Sequence, residues 1–412
     1  MNAQINTYSP YSYYGLGDLH MSANTYNMSL GGMGVGLFSN NILNYINPAS
    51  YSYLDLTSFE FGIKSSFIRL SESNLTQKNF VSSLHNIGLG FPLSNTIGCS
   101  IHLLPYSSVG YSAISNDAIY NNDSEIVTTS NYKGSGGINQ LTLGLGWQIK
   151  PNFSIGLNMH YLFGSIDRET TLFTDNTDLY FTETINNIIN GFNPELGLLY
   201  TSYINTHQLT TGFTMKPKKI INSKVNIFQS TYEGPVYNEA TEYILLDNQG
   251  VNNSITLPLE CAVGFSINFD EKWMIGLDVN HVSWSNYIDN RNYAYMTNRN
   301  QVVFGGSVTP NRGDIYNYFN RVEYRMGISY SQGYINIGET TNISQNEMPL
   351  KELAFTFGMG LPINKISSTA NIGCKFTTRG YNLSQDFLKE DYISVYLSMT
   401  LNEKWFNKRK IE

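Results

Sequence analysis

Apolar and polar residues alternate along most of this chain. Leu141, Leu143, Leu145, Trp147 and Ile149 are separated by Thr142, Gly144, Gly146 and Gln148. Phe153, Ile155, Leu157, Met159, Tyr161 and Phe163 follow, interleaved with Ser154, Gly156, Asn158 and His160. The rhythm returns in Leu257, Leu259, Cys261, Val263, Phe265 and Ile267, and in Trp273, Ile275, Leu277 and Val279. It returns again in Leu353, Phe355, Phe357, Met359 and Leu361, and in Ile393, Val395, Leu397, Met399 and Leu401. Successive side chains of a strand point to opposite faces, so a period of two predicts strands with one apolar and one polar face. Such spans are predicted at about 54–69, 80–93, 96–114, 138–149, 152–166, 193–203, 207–216, 255–268, 272–287, 321–330, 333–341, 352–362, 366–379 and 391–402.

A soluble sandwich alternates as well, and the connections separate the two cases. Every second connection reads as short: Ser94-Asn95, Lys150-Pro151, Ile204-Asn205-Thr206, Asp270-Glu271, Ser331-Gln332 and Asn364-Lys365. The intervening ones read as long solvated loops, among them Tyr120-Asn121-Asn122-Asp123, 217–254 and 287–320, with a short helix expected over Thr184–Asn190. Tight turns at one end and long loops at the other are the outer-membrane barrel pattern. Phe91, Trp147, Phe153, Phe269, Trp273, Trp405 and Phe406 lie beside short turns or the chain end. Rings with a wet tip favour that headgroup level. The expected fold is therefore all-β: a transmembrane antiparallel β-barrel of about fourteen strands over residues 54–402.

Residues 1–53 break the rhythm. They carry Leu30-Gly31-Gly32-Met33-Gly34-Val35-Gly36 and then Asn47-Pro48-Ala49-Ser50. The stretch is polar and glycine-rich, yet it holds Leu37, Phe38, Ile42, Leu43, Tyr45 and Ile46, so it is expected to pack in the lumen as a hatch or plug. Gly32, Gly34 and Gly36 do not read as a nucleotide loop, since no strand precedes them and no amphipathic helix follows. Tight backbone in a plug suits them better. Residues 403–412, with Lys408-Arg409-Lys410, are expected to form a short basic periplasmic tail.

Composition sharpens this picture. Charged residues are 14% of the chain, against roughly 25% in soluble domains. Aromatics also reach 14%, the opposite of a disordered chain. A net charge of −7 offers no basic face for nucleic acid. No window of ~18 apolar residues exists, so a membrane-spanning form must be a closed barrel. Cys99, Cys261 and Cys374 match neither a disulfide framework nor a zinc pattern and read as strand residues. Met1 is followed by no basic and apolar leader, so the sequence is expected to begin near an export-signal cleavage point.

The predicted lumen face carries Glu60, Lys64, His102, His160, Glu260, Asp278, Glu323, Arg325 and Lys375. A charge facing mid-bilayer would cost ~2–4 kcal/mol, so their shared face supports the register. Glu323 and Arg325 lie on one face of one strand and can pair. The set reads as a structural network. No Ser–His–acid spacing, HxxxH motif or carboxylate cluster points to an enzyme or a metal site, and no cofactor is expected.

The run Gly31–Gly36 with Asn47-Pro48-Ala49 just before the first strand resembles the FadL family of outer-membrane transporters. The start, Tyr8-Ser9-Pro10-Tyr11-Ser12-Tyr13-Tyr14-Gly15-Leu16-Gly17-Asp18, and the end, Lys404 to Lys410, are similar to the Bacteroidetes branch of that family. That branch includes relatives of PorV, a barrel working with type IX secretion. The resemblance implies a hatch and passive uptake of hydrophobic small molecules such as long-chain fatty acids. It also implies a sideways exit where the third strand kinks. Pro105 lies in that strand, and proline, lacking an N–H, belongs at a break in a ladder. The partners expected are outer-membrane lipids and hydrophobic cargo. The alternative is a non-transport barrel serving a secretion or cell-surface complex.

Overall fold

The computed structural model describes residues 7–404, except 122–123, 175–178, 234–240, 271, 289–295, 338–339, 342–343, 346–347, 364–367, 382 and 384–386. Its wall strands follow one another in chain order. They are β1 (Thr57–Glu72), β2 (Leu75–Pro92), β3 (Ile97–Asn121), β4 (Ser124–Lys150), β5 (Phe153–Thr174) and β6 (Leu179–Ile204). Then come β7 (His207–Lys216 continued by Lys219–Glu233), β8 (Thr241–Leu257 continued by Glu260–Phe269), β9 (Trp273–Val282) and β10 (Arg299–Val308). The last are β11 (Glu323–Asn336), β12 (Pro349–Pro362), β13 (Thr369–Arg379) and β14 (Lys389–Glu403). β7 and β8 each break at a proline, Pro217 and Pro258, as a residue without an N–H must interrupt the ladder. β14 pairs with β1 from Lys389 opposite Ser71 to Glu403 opposite Thr57, which closes a fourteen-stranded antiparallel cylinder.

Burial is inverted relative to a water-soluble protein. On β4, Leu143 is 57% exposed while its neighbour Thr142 is fully buried. Phe61, Phe265, Leu277, Phe304 and Phe357 likewise point outward and are exposed. The outward band can rest only against hydrocarbon, and the polar alternates line the interior. Trp147 and Trp273 stand exposed at the tight-turn end of the band, while Trp405 and Phe406 fall outside the described residues.

Several expectations are corrected. Ser331-Gln332 is no turn: Ser331 pairs with Gln301 and Glu352, Gln332 with Asn300 and Lys351. The two spans predicted at 321–330 and 333–341 are thus one strand, β11. Conversely β10 lies inside a predicted loop. Its alternation is masked because inward-facing Val303 packs on Tyr26, Leu30 and Met33 rather than on polar neighbours. One split and one omission leave the count unchanged.

The long loops are mostly strand as well. Hairpins β3–β4, β5–β6 and β7–β8 continue past the apolar band, and Thr184–Asn190 is strand paired on both sides, not helix. Beyond hydrocarbon both faces of a strand are wet, so pairing continues without a period of two. The short turns 93–96, 151–152 and 205–206 lie where expected, Asn205 at φ 56° and Asp270 at φ 50° taking the left-handed conformation these residues tolerate. Asn122-Asp123, Glu271, Asn290, Asn364-Lys365 and the tail from Trp405 lie outside the described residues.

Residues 7–56 contain two short 3-10 helices, Pro10–Tyr13 and Pro48–Tyr53, the strand Asp18–Leu19 and the helix α1 (Thr25–Ser29). Most of this segment is buried. It touches inward faces right round the cylinder, Pro48 and Ala49 against β5, Val35 and Gly36 against β7 and β8, and Ser29 against β12 and β13.

Candidate functional site

The inward positions that receive the N-terminal backbone are glycines. A methyl at Gly212 would overlap the Val35 carbonyl, one at Gly156 the Pro48–Ala49 peptide, and one at Gly98 the Tyr51 carbonyl. These glycines read in sequence as the polar phase of strands, and their role is space. The glycine run itself wraps a carboxylate: Gly34 N–H and Val35 N–H donate to Asp278 Oδ2 at 2.7 and 2.8 Å. Ser266 Oγ donates to the Gly36 carbonyl at 2.6 Å. Gly32, at φ 96°, takes a backbone conformation that favours glycine. Asn47 starts the second 3-10 helix by accepting from Ala49 N–H at 3.1 Å, and donates to the Val35 carbonyl at 2.7 Å and the Leu198 carbonyl at 3.0 Å. The two sequence motifs, Gly32–Gly36 and Asn47–Ala49, thus meet each other and the wall.

The inward charges fall into separate groups. Glu60 is fully buried and accepts from Asn24 Nδ2 at 2.9 Å. Arg325 pairs with Glu323 at 3.0 Å, donates to Asn371 at 2.8 Å and lies 4.2 Å over the Tyr26 ring. Lys375 pairs with Glu352 at 3.4 Å, and Glu260 with Lys216 at 3.3 Å. Lys64 lies 6.0 Å over the Tyr396 ring, and no carboxylate among the described residues pairs with it.

Sequence reading missed Arg379, which holds Asp18 at 2.9 Å, Glu352 at 3.1 Å and Glu390 at 3.4 Å. It also missed Glu195, bound by His160 at 3.1 Å with Thr142 on the other ring nitrogen at 2.8 Å. Glu195 alternates with Leu196 and Leu198, so the same period would have found it. This Thr–His–Glu chain has the connectivity of a nucleophile triad, but Thr142 is fully buried, and of the three only Glu195 borders either of the two cavities described below. It ties β4, β5 and β6 together across the lumen face.

The β2–β3 ladder ends early. β2 pairs with β3 only from Ile87 opposite Leu103 to Pro92 opposite Gly98. Beyond that, β2 stays with β1 and β3 with β4, the latter through an irregularity between Pro105 and Ser107. The N-terminal segment covers the freed edge of β3: Asp18 pairs with Ser108 and Leu19 with Ser107, and His20 N–H donates to the Tyr106 carbonyl at 2.9 Å. The His20 ring shares a 2.8 Å hydrogen bond with Ser108 Oγ. Burial, with Lys64 nearby, pulls its pKa down to about 4, so the ring is neutral at neutral pH. A cavity of about 130 Å3 lies beside this gap, bordered by Leu84, Pro105 and Met28 together with Lys64 and His85. A second, of about 100 Å3, lies toward Glu195, Lys216 and Glu260, and Leu19, His20 and Met21 border both.

A closed lipid-facing barrel of this kind is an architecture of the Gram-negative outer membrane. Solved structures share it at low identity. A Pseudomonas aeruginosa FadL homologue aligns with a TM-score of 0.59 and 12% identity over 93% of this chain and 99% of that one. The P. putida toluene transporter TodX gives 0.57 and 14% over 93% and 100%. The CymD monoaromatic hydrocarbon channel gives 0.57 and 11% over 96% and 100%. At such identity the likeness is one of fold. No curated protein matches the sequence. The BamG family model matches residues 1–412, and the chain belongs to the BamG family.

Proposed function

We propose that the protein is a passive conduit for hydrophobic small molecules across the outer membrane, with residues 1–53 as its hatch and the gap between β2 and β3 as its sideways exit. The observation that carries this reading is the early end of the β2–β3 ladder at Ile87 and Leu103, beside Pro105, with a two-residue strand of the hatch lying on the freed edge. The contact is short, two ladder pairs with the His20 bonds to Tyr106 and Ser108 and the Asp18–Arg379 ion pair beside them, so its release bares the edge without unzipping a full strand. The toluene and hydrocarbon channels that share the fold favour small apolar cargo. The cavity of about 130 Å3 matches that scale in size alone, since a cavity of about 150 Å3 holds benzene; its lining sets Met28, Leu84 and Pro105 beside Asp18, Lys64 and Glu352. A long-chain fatty acid would need the hatch to move further. The Bacteroidetes placement is carried by the terminal motifs alone.

A lock tests the conduit. Leu19 and Ser107 are direct ladder partners, and such Cα atoms lie about 4.5–5.5 Å apart, within disulfide reach. The pair Leu19→Cys/Ser107→Cys, oxidised, should abolish uptake of toluene or a labelled fatty acid into cells, and reductant should restore it. Uptake that is the same locked and unlocked sinks the reading. A second reading, a barrel serving a secretion or surface complex, draws on the β3–β8 hairpins that project past the apolar band. It expects the lock to leave uptake untouched while removal of those hairpin tips impairs the complex.

A further inference from the structure

One connection at the tight-turn rim stands apart from the rest. Residues 309–322, between β10 and β11, are far longer than the turns 151–152 and 205–206. Yet they are firmly built. Asp314 Oδ1 accepts the N–H groups of Tyr316 and Asn317, each at 2.9 Å, and its Oδ2 accepts from Asn320 Nδ2 at 2.6 Å. These bonds hold the Asp314 carboxyl below the usual carboxylate range. Asn317 Oδ1 accepts from Phe319 N–H at 3.0 Å and opens the short helix α2 (Tyr318–Arg321). Asn311 N–H donates to the Asn320 carbonyl at 2.7 Å and closes the loop on itself.

All of this order holds apolar side chains outward. Tyr316 is 100% exposed, Ile315 87% and Phe319 69%. A loop that spends its polar groups on its own shape while offering these side chains is shaped for an apolar neighbour. Its attachments say on which side that neighbour lies. Tyr324 shares the lipid-facing phase of β11 with exposed Met326 and Ile328, and its hydroxyl donates to the Phe319 carbonyl at 3.2 Å. The Tyr318 hydroxyl donates to the Pro362 carbonyl at 3.0 Å, at the end of β12 beside exposed Ile363. Thr309 N–H donates to the Lys272 carbonyl at 2.9 Å, next to exposed Trp273. The Ile315–Phe319 side of the loop therefore hangs from the outer side of the rim, in continuity with the apolar band, while Arg312 at its start turns its charge toward Glu323 and Tyr26 of the lumen. Arg321 lies 5.2 Å over the Tyr318 ring, and Tyr and Arg are both residue types that anchor at headgroup level.

We propose that residues 309–322 are a foot that sets Ile315, Tyr316 and Phe319 into the headgroup layer of the periplasmic leaflet, so that the occupant of this surface is phospholipid. The test places one nitroxide at a time at Ile315→Cys, Tyr316→Cys or Phe319→Cys, with Cys99, Cys261 and Cys374 replaced by Ala. The full barrel is studied in nanodiscs of phosphatidylethanolamine and phosphatidylglycerol. These side chains are largely exposed, so the label leaves the fold intact, and Leu143→Cys and Asn248→Cys, the latter exposed on a projecting hairpin, serve as lipid and water references. At all three foot positions the oxygen-to-nickel-chelate collision ratio should be several-fold above that at Asn248 and approach that at Leu143. Ratios like that at Asn248 would mean a surface facing water and would overturn the proposal. Low access to both reagents would mean a protein partner or a second copy, and would overturn it too.

Discussion

Asp278 faces the lumen with no cation among the described residues at salt-bridge distance, and its carboxylate is held by the backbone N–H groups of Gly34 and Val35. Successive N–H groups turned toward one point form an anion-binding concavity, and here the anion is a side chain of the wall itself. Glycine suits the position because a methyl at Gly36 would press on the Gly264 backbone and one at Gly34 on Asn27 and Asn44. Asp278→Ala would leave two buried donors unpaired, each costing about 1–3 kcal/mol. Amide exchange at Met33 to Leu37 should speed up by at least tenfold while the wall strands keep their protection. Unchanged exchange there would show that the carboxylate does not hold the segment. In sequence, Asp278 is visible as an inward charge and the glycine run as tight backbone of a plug, but their bond joins residues far apart in the chain and carries no local signal.

Among the elements, β3 decides the shape of the wall. Its lower half, from Ile97 to Leu103, pairs on both sides, and its upper half pairs only with β4 apart from the short contact with Asp18–Leu19. Pro105 sits where one regime gives way to the other. A residue with an N–H removes that break. In Pro105→Val the β2–β3 ladder should extend upward, seen as several-fold slower amide exchange at Ser82 to Asn86, and uptake of apolar cargo should slow. Exchange and uptake both unchanged would make the proline a harmless bulge. The proline was legible as a ladder break. That the break separates β3 from β2 rather than from β4 was not, because a period of two reports the face of a residue and never its neighbour strand.

At the scale of the molecule, the outward band and the inward network impose opposite rules on adjacent residues. Leu143→Arg puts a cation against hydrocarbon and should lower barrel stability by ~2–4 kcal/mol, measured by urea unfolding in phospholipid vesicles. The same substitution at Ile114, which is 70% exposed and lies nearer the projecting hairpin, should cost much less, because the penalty falls toward the interface. Equal costs at the two positions would contradict the depth assigned to the band. The projecting hairpins obey a third rule. Both their faces are wet, so β4 and β6 continue as strands through stretches of Ser, Thr and Asn that read as loops.

The sequence by itself determined which side chains face hydrocarbon and which face inward, because alternation is a local property that every strand repeats. From it follow the closed barrel, the tight-turn end and the inward placement of Glu60, Asp278, Arg325 and Lys375. Only the tertiary structure decided where strands end beyond the bilayer, that Glu323–Asn336 is one strand and Arg299–Val308 another, and which pair of strands parts. Those outcomes rest on contacts between distant segments. Val303 can be apolar because Leu30 lies against it, and the wall can be smooth at Gly156 because Pro48 and Ala49 fill the space.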